Sequence, residues 1–102
     1  MLYLLAILTA KPGMRDALLA EVNAVVPASL AEKGCLEYCP TIDVEGWTGR
    51  QNKLGPDTLV LVEKYESVEA LNEHIASPHI RSYQVKSKDL IESRVIYMLT
   101  PP

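Results

Sequence analysis

Apolar side chains at both parities of one short segment constrain the fold of this chain more than any other feature. Between Leu2 and Ala10, Leu2, Leu4 and Leu8 fall on one side of an extended backbone, while Leu5 and Ile7 fall on the other. Successive side chains of a strand point to opposite faces, so both faces of this strand need an apolar cover. Lys11-Pro12-Gly13 then stops the strand and lets a helix begin. From Met14 the period changes. Met14, Leu18, Val22, Val25, Val26 and Leu30 recur at three- and four-residue steps, which predicts an amphipathic helix closing at Gly34. Pro27 falls inside it, where proline costs about 3 kcal/mol, so a kink is expected, or a restart with Pro27 opening a short last segment.

Cys35 to Val44 reads as a second strand, with Pro40 demoting its middle to an edge or a bulge. Glu45 to Asp57 is aperiodic and punctuated by Gly46, Gly49, Gly55 and Pro56, the pattern of a functional cover or a mobile excursion. Thr58 to Glu66 is a third strand, in which Leu59-Val60-Leu61-Val62 run without alternation and again demand two covers. Ser67 is the N-cap of a further helix with Val68, Leu71 and Ile75 as its inner stripe, and Ser77-Pro78 breaks it. A last helical stretch from Pro78 to about Lys88 precedes a strand from Ile91 to Leu99. This order predicts one α+β domain over residues 1–102, a ferredoxin-like βαββαβ unit with its helices on one face of a four-stranded antiparallel sheet. The simplest cover for the other face is the same face of a second copy, giving a two-fold homodimer. A domain of 102 residues buries only about 60–70% of its unfolded surface, so a partner adds much to its core.

The formal net charge is −3 and the basic residues are scattered from Lys11 to Arg94, which argues against a nucleic-acid groove. The apolar run Met1 to Leu8 is far short of the roughly 18 residues of a membrane span and lacks the charged start of a secretory signal, so a cytoplasmic protein with no membrane partner is expected. Cys35 and Cys39 in a strand would stand about 13 Å apart, beyond the roughly 7 Å a disulfide allows, so both are expected as inert free thiols. No further ligand neighbours them in sequence, and no metal site is expected.

Three segments carry a family likeness: Gly34-Cys35-Leu36-Glu37-Tyr38, Val62-Glu63-Lys64-Tyr65-Glu66-Ser67, and Ala70-Leu71-Asn72-Glu73-His74-Ile75-Ala76-Ser77-Pro78-His79. They resemble the hallmark segments of the antibiotic biosynthesis monooxygenase family. The resemblance implies a dimeric α/β barrel and an activity among those the family holds, cofactor-independent quinol monooxygenases included. The family's haem-degrading branch is set apart by an Asn, a Trp and a His at positions that correspond here to Ala6, His74 and Gln84, so that branch does not fit. Its polyketide-tailoring members carry a Trp where this chain has Tyr65.

Oxidising a quinol or phenol without a cofactor needs a base, a water-poor pocket and donors for the oxyanion. His74 is the candidate base, since imidazole titrates near 6.5; its helical projection puts it at the edge of the buried stripe, where a structural role is the alternative. Glu63 and Tyr65 share one face of the third strand and complete the candidate catalytic set. Glu63 either pairs with Arg81 or Arg94 or titrates upward in an apolar pocket, and Tyr65 either donates to substrate or packs in the core. Tyr38, His79, Trp47 and Arg81 are candidate substrate-binding residues, with Trp47 alternatively anchoring a neighbouring subunit and His79 capping a helix. The expected partners are an identical chain, a small aromatic substrate and oxygen. Two other functions stay open: an isomerase of a small phosphorylated carbonyl compound, with Arg81, Arg50 or Lys86 on the phosphate, and a non-catalytic metabolite-binding dimer.

Overall fold

The segment with two apolar faces is the inner strand of a sheet. In the computed structural model, which describes residues 1–102, β1 (Leu2–Ala10) lies between β3 (Thr58–Tyr65) and β4 (Ile91–Leu99), and β2 (Cys35–Thr41) flanks β3. All pairings are antiparallel and the strand order is β2-β3-β1-β4. Three helices, α1 (Arg15–Leu30), α2 (Val68–Ala76) and α3 (Pro78–Ser87), complete the ferredoxin-like α+β fold, with a short 3-10 turn at Lys88–Leu90. No helix is long and apolar enough to cross a membrane.

Alternation along the inner strands divides the sheet cleanly. Leu4, Ala6, Leu8 and Ala10 of β1 and Leu59, Leu61, Glu63 and Tyr65 of β3 are buried beneath the helices. The opposite parity, Tyr3, Leu5, Ile7, Val60 and Val62, is only half-buried, and Val95, Tyr97 and Leu99 extend that apolar face as exposed residues of β4.

Four local expectations differ from the fold. First, α1 does not restart at Pro27 but continues through it as one helix, because Val22, Val25 and Ser29 on either side are packed inward and hold it across the missing N–H. Second, β2 ends at Thr41 rather than Val44; Ile42 and Val44 are exposed loop residues. Third, the buried positions of α2 are Ala70, Leu71 and His74, whereas Val68 and Ile75 are half-exposed. His74 stands three and four residues after Leu71 and Ala70, so it sits at the centre of the inward face.

Fourth, Gly34 does not cap α1, which closes at Ala31, but opens β2 with φ of 87°. A β-carbon there would lie 2.6 Å from the Ala70 side chain, so glycine is required by both backbone and space. Its carbonyl accepts the Glu66 N–H at 2.8 Å, tying the α1–β2 turn to the β3–α2 turn.

Candidate active site

That tie brings together residues distant in sequence. Glu32 lies in the turn after α1, with its N–H donating to the Ser29 carbonyl at 3.1 Å. The β2–β3 register shifts between Cys35 and Glu37, so Cys35 and Tyr38 both face the helices and Tyr38 stands opposite Glu63. The N-cap of α2, the Ser67 hydroxyl accepting from the Ala70 N–H at 3.1 Å, fixes the helix that carries His74 above them.

The His74 ring is held between Tyr38 and Tyr65, at centroid distances of 5.1 and 5.3 Å and with tilted planes. Its Nδ1 is 3.0 Å from each carboxylate oxygen of Glu32, and its Nε2 is 3.8 Å from Oε1 of Glu63. A carboxylate only accepts, so Glu32 fixes the proton on Nδ1 and leaves the Nε2 lone pair free. Burial lowers the His74 pKa, against the opposing pull of Glu32, and keeps the ring neutral. Tyr65 donates its hydroxyl to Glu63 at 2.5 Å. Burial still pushes the Glu63 carboxyl up to about 7, the Tyr65 bond opposing and the Glu32 charge assisting. Both Tyr38 and Tyr65 are raised well above the ordinary phenol value, chiefly by burial, so they remain donors. Burial likewise lifts the Cys35 thiol to about 11, consistent with an inert packing group, and neither cysteine forms a disulfide.

Beside this cluster a cavity of about 250 Å³ lies between the sheet and helices α2 and α3. Leu4, Ala6, Leu8 and Leu61 floor it, Leu71, Ile75 and Ile80 roof it, and Tyr38, Glu63 and His74 close one end. Tyr83, Gln84, Arg94 and Ile96 line the remainder, and the buried Tyr83 hydroxyl has no hydrogen-bond partner in the protein. The walls suit a flat, largely apolar molecule carrying oxygens for the polar ends.

Four of the expected residues, His74, Glu63, Tyr65 and Tyr38, therefore meet in one cluster. His79 joins it from behind: its Nε2 is 2.5 Å from Glu32 Oε2, and it does not line the cavity. Arg81 lies outside, its Nε donating to the Ala76 carbonyl at 3.2 Å at the end of α2. Trp47 is 62% exposed on the loop after β2, where its indole N–H donates to the Arg50 carbonyl. That loop is tied to itself by Asp43, whose carboxylate accepts from the Leu54 and Gly55 N–H groups at 3.0 and 2.9 Å; these bonds hold its pKa low. Glu63 takes neither Arg81 nor Arg94 as an ion-pair partner; the nearest basic group is His74. Sequence reasoning missed Glu32 and Tyr83. Nothing in local spacing connects Glu32 to His74 across 42 residues, but the Ile80, Tyr83 and Ser87 spacing on α3 marks an inward stripe that includes Tyr83.

The sequence profile described as antibiotic biosynthesis monooxygenase matches residues 1–86. The chain is 33% identical over 98 residues to a protein of Escherichia coli K12 named "Probable quinol monooxygenase YgiN", covering 93% of each. Among solved structures, PA3566 from Pseudomonas aeruginosa is similar with a TM-score of 0.84 and 28% identity, over 99% of this chain and 93% of that one. Rv0793 from Mycobacterium tuberculosis has a TM-score of 0.81 and 29% identity, over 99% and 94%.

Proposed function

Because the chain belongs to the antibiotic biosynthesis monooxygenase family, we propose that its cavity oxidises a small quinol or polycyclic phenol with molecular oxygen, the substrate itself supplying the electrons. The observation that carries this reading is the orientation of His74: Nδ1–H held by Glu32, and Nε2 presented at the polar end of an apolar cavity.

His74 takes the proton of the substrate hydroxyl at Nε2, and the Glu32 carboxylate stabilises the imidazolium that forms. The resulting anion is electron-rich enough to reduce oxygen. For a quinol the balance is one quinol plus one oxygen molecule giving one hydroxyquinone plus water: a carbon–oxygen bond forms, the oxygen–oxygen bond breaks, and His74 returns its proton to the departing oxygen. Tyr38 walls the cavity, Tyr65 lies behind it and donates its hydroxyl to Glu63, and Glu63, with a pKa near neutrality, holds or releases a proton beside the reacting oxygen. The apolar floor excludes water and strengthens these interactions. Arg81, Arg50 and Lys86, the expected phosphate holders of an isomerase, do not line the cavity, whose one basic side chain besides His74 is Arg94. The half-covered apolar face of Leu5, Ile7, Val62, Val95 and Tyr97 supports the homodimer as the working unit.

Oxygen consumption by purified protein with a panel of reduced benzo- and naphthoquinones tests the activity. Uptake above autoxidation, reduced about 10²–10⁴-fold in His74→Ala, is expected. Uptake no faster than buffer alone with every substrate overturns it. Light scattering of wild type and Val95→Asp at matched concentrations tests the dimer; a monomeric wild type rejects it.

A further inference from the structure

We propose that Glu32, His74 and His79 form a binding site for a borderline divalent transition ion such as zinc, and that an ion held there silences His74. Two imidazole nitrogens and a carboxylate converge from three places in the fold: the turn after α1, the buried face of α2 and the first turn of α3. Their ligating atoms all lie within 4.8 Å of one another. Ligand atoms around a single zinc ion stand about 3–4 Å apart, so the set closes with a small rotation of His79, the most exposed of the three. The donor set of two imidazoles and one carboxylate suits zinc and its neighbours better than magnesium or calcium, which take oxygen ligands. Ser77 braces the site: its hydroxyl donates to the His74 carbonyl at 2.6 Å and lies 3.3 Å from Nε2 of His79.

The position of the site fixes its consequence. Neither Glu32 nor His79 lines the cavity, so the ion would sit behind His74 and would not touch substrate. It would bind Nδ1, which now carries the proton directed at Glu32. A neutral imidazole ligated at Nδ1 carries its proton on Nε2 instead, so the lone pair facing the cavity is replaced by an N–H. The base becomes a donor, with no net change in protonation of the ring. The silencing rests on the quinol monooxygenase reading; the binding of the ion does not.

The test titrates zinc chloride into tag-free full-length protein at neutral pH in a non-chelating buffer, by calorimetry and by nitrogen NMR of the histidine side chains. One ion per chain with a dissociation constant of about 1–100 µM is expected. Glu32→Gln and His79→Asn, each checked for a wild-type circular dichroism spectrum, should weaken binding at least about tenfold. The His74 Nδ1 resonance should take the metal-bound shift while Nε2 changes from unprotonated to protonated. No binding at ~100 µM zinc, or binding that both folded variants retain, overturns the site. Zinc bound without loss of oxygen uptake, in protein that oxidises quinols, overturns the silencing. Zinc bound by a protein that oxidises no quinol leaves the site standing and rejects the monooxygenase reading alone.

Discussion

Replacing Glu63 by Gln should stabilise this protein at alkaline pH and leave it nearly unchanged in acid. Glu63 is 5% exposed, and its carboxyl titrates near 7 rather than at the ordinary 4.5, mainly through burial. Between those values the unfolded chain has released a proton that the folded chain still holds. Stability therefore falls as pH rises from 4.5 to 7, then levels off. A difference of about 2.5 pK units at 1.36 kcal/mol each puts the loss at about 3 kcal/mol. Glutamine keeps the shape and an oxygen to accept the Tyr65 hydroxyl, but carries no charge to desolvate. Urea unfolding of wild type and Glu63→Gln at pH 5 and pH 8, at fixed protein concentration, measures the effect. A gain of about 3 kcal/mol at pH 8 against little at pH 5 is expected, with activity lost in exchange. A variant less stable than wild type at pH 8, or a gain of equal size at both pH values, refutes the account of Glu63 as a buried, costly carboxylate.

His74 sets the opposite limb. Its folded pKa lies below the ordinary 6.5, so its contribution to stability is full above that value and lost as pH falls below it. On the Glu63→Gln background, where the carboxyl no longer titrates, unfolding free energy should decline as pH falls below 6.5, and His74→Asn should flatten the decline. Leu59 is fully buried at the sheet–helix interface, and Leu59→Ala should cost about 2–5 kcal/mol in the same assay. Gly34→Ala meets a positive φ and the Ala70 side chain 2.6 Å away; a loss of about 2 kcal/mol or more is expected, seen as a lowered melting midpoint.

Strand boundaries were legible in the sequence where punctuation and pattern coincided. Leu2–Ala10 and Ile91–Leu99 match their strands because Lys11-Pro12-Gly13 and the terminal Thr-Pro-Pro mark clear stops. The end of β2 was not, because Ile42 and Val44 are apolar yet lie on a loop that Asp43 ties back through backbone bonds no spacing rule reveals. Hydrophobicity also misplaced the inward face of α2. Ile75 is apolar and half-exposed at the cavity rim, whereas His74 is polar and buried because two tyrosines and two carboxylates enclose it. The same cause hid Glu32. Its role arises from the tertiary tie at Gly34, and a polar residue after a helix reads as solvated surface until that tie is known.

The sheet order also governs when this protein can be finished during its own synthesis. β1 is the first strand to leave the ribosome, yet one of its two edges waits for β4, the last of the four to be made. Until then the nascent chain carries an unpaired, strongly apolar edge, the kind of surface that recruits chaperones or seeds aggregates. A cavity wall is missing over the same interval, because Arg94 and Ile96 come from that late strand. Partial translation products should therefore be both sticky and unable to bind ligand, and competence should arrive in a single step as the final strand docks.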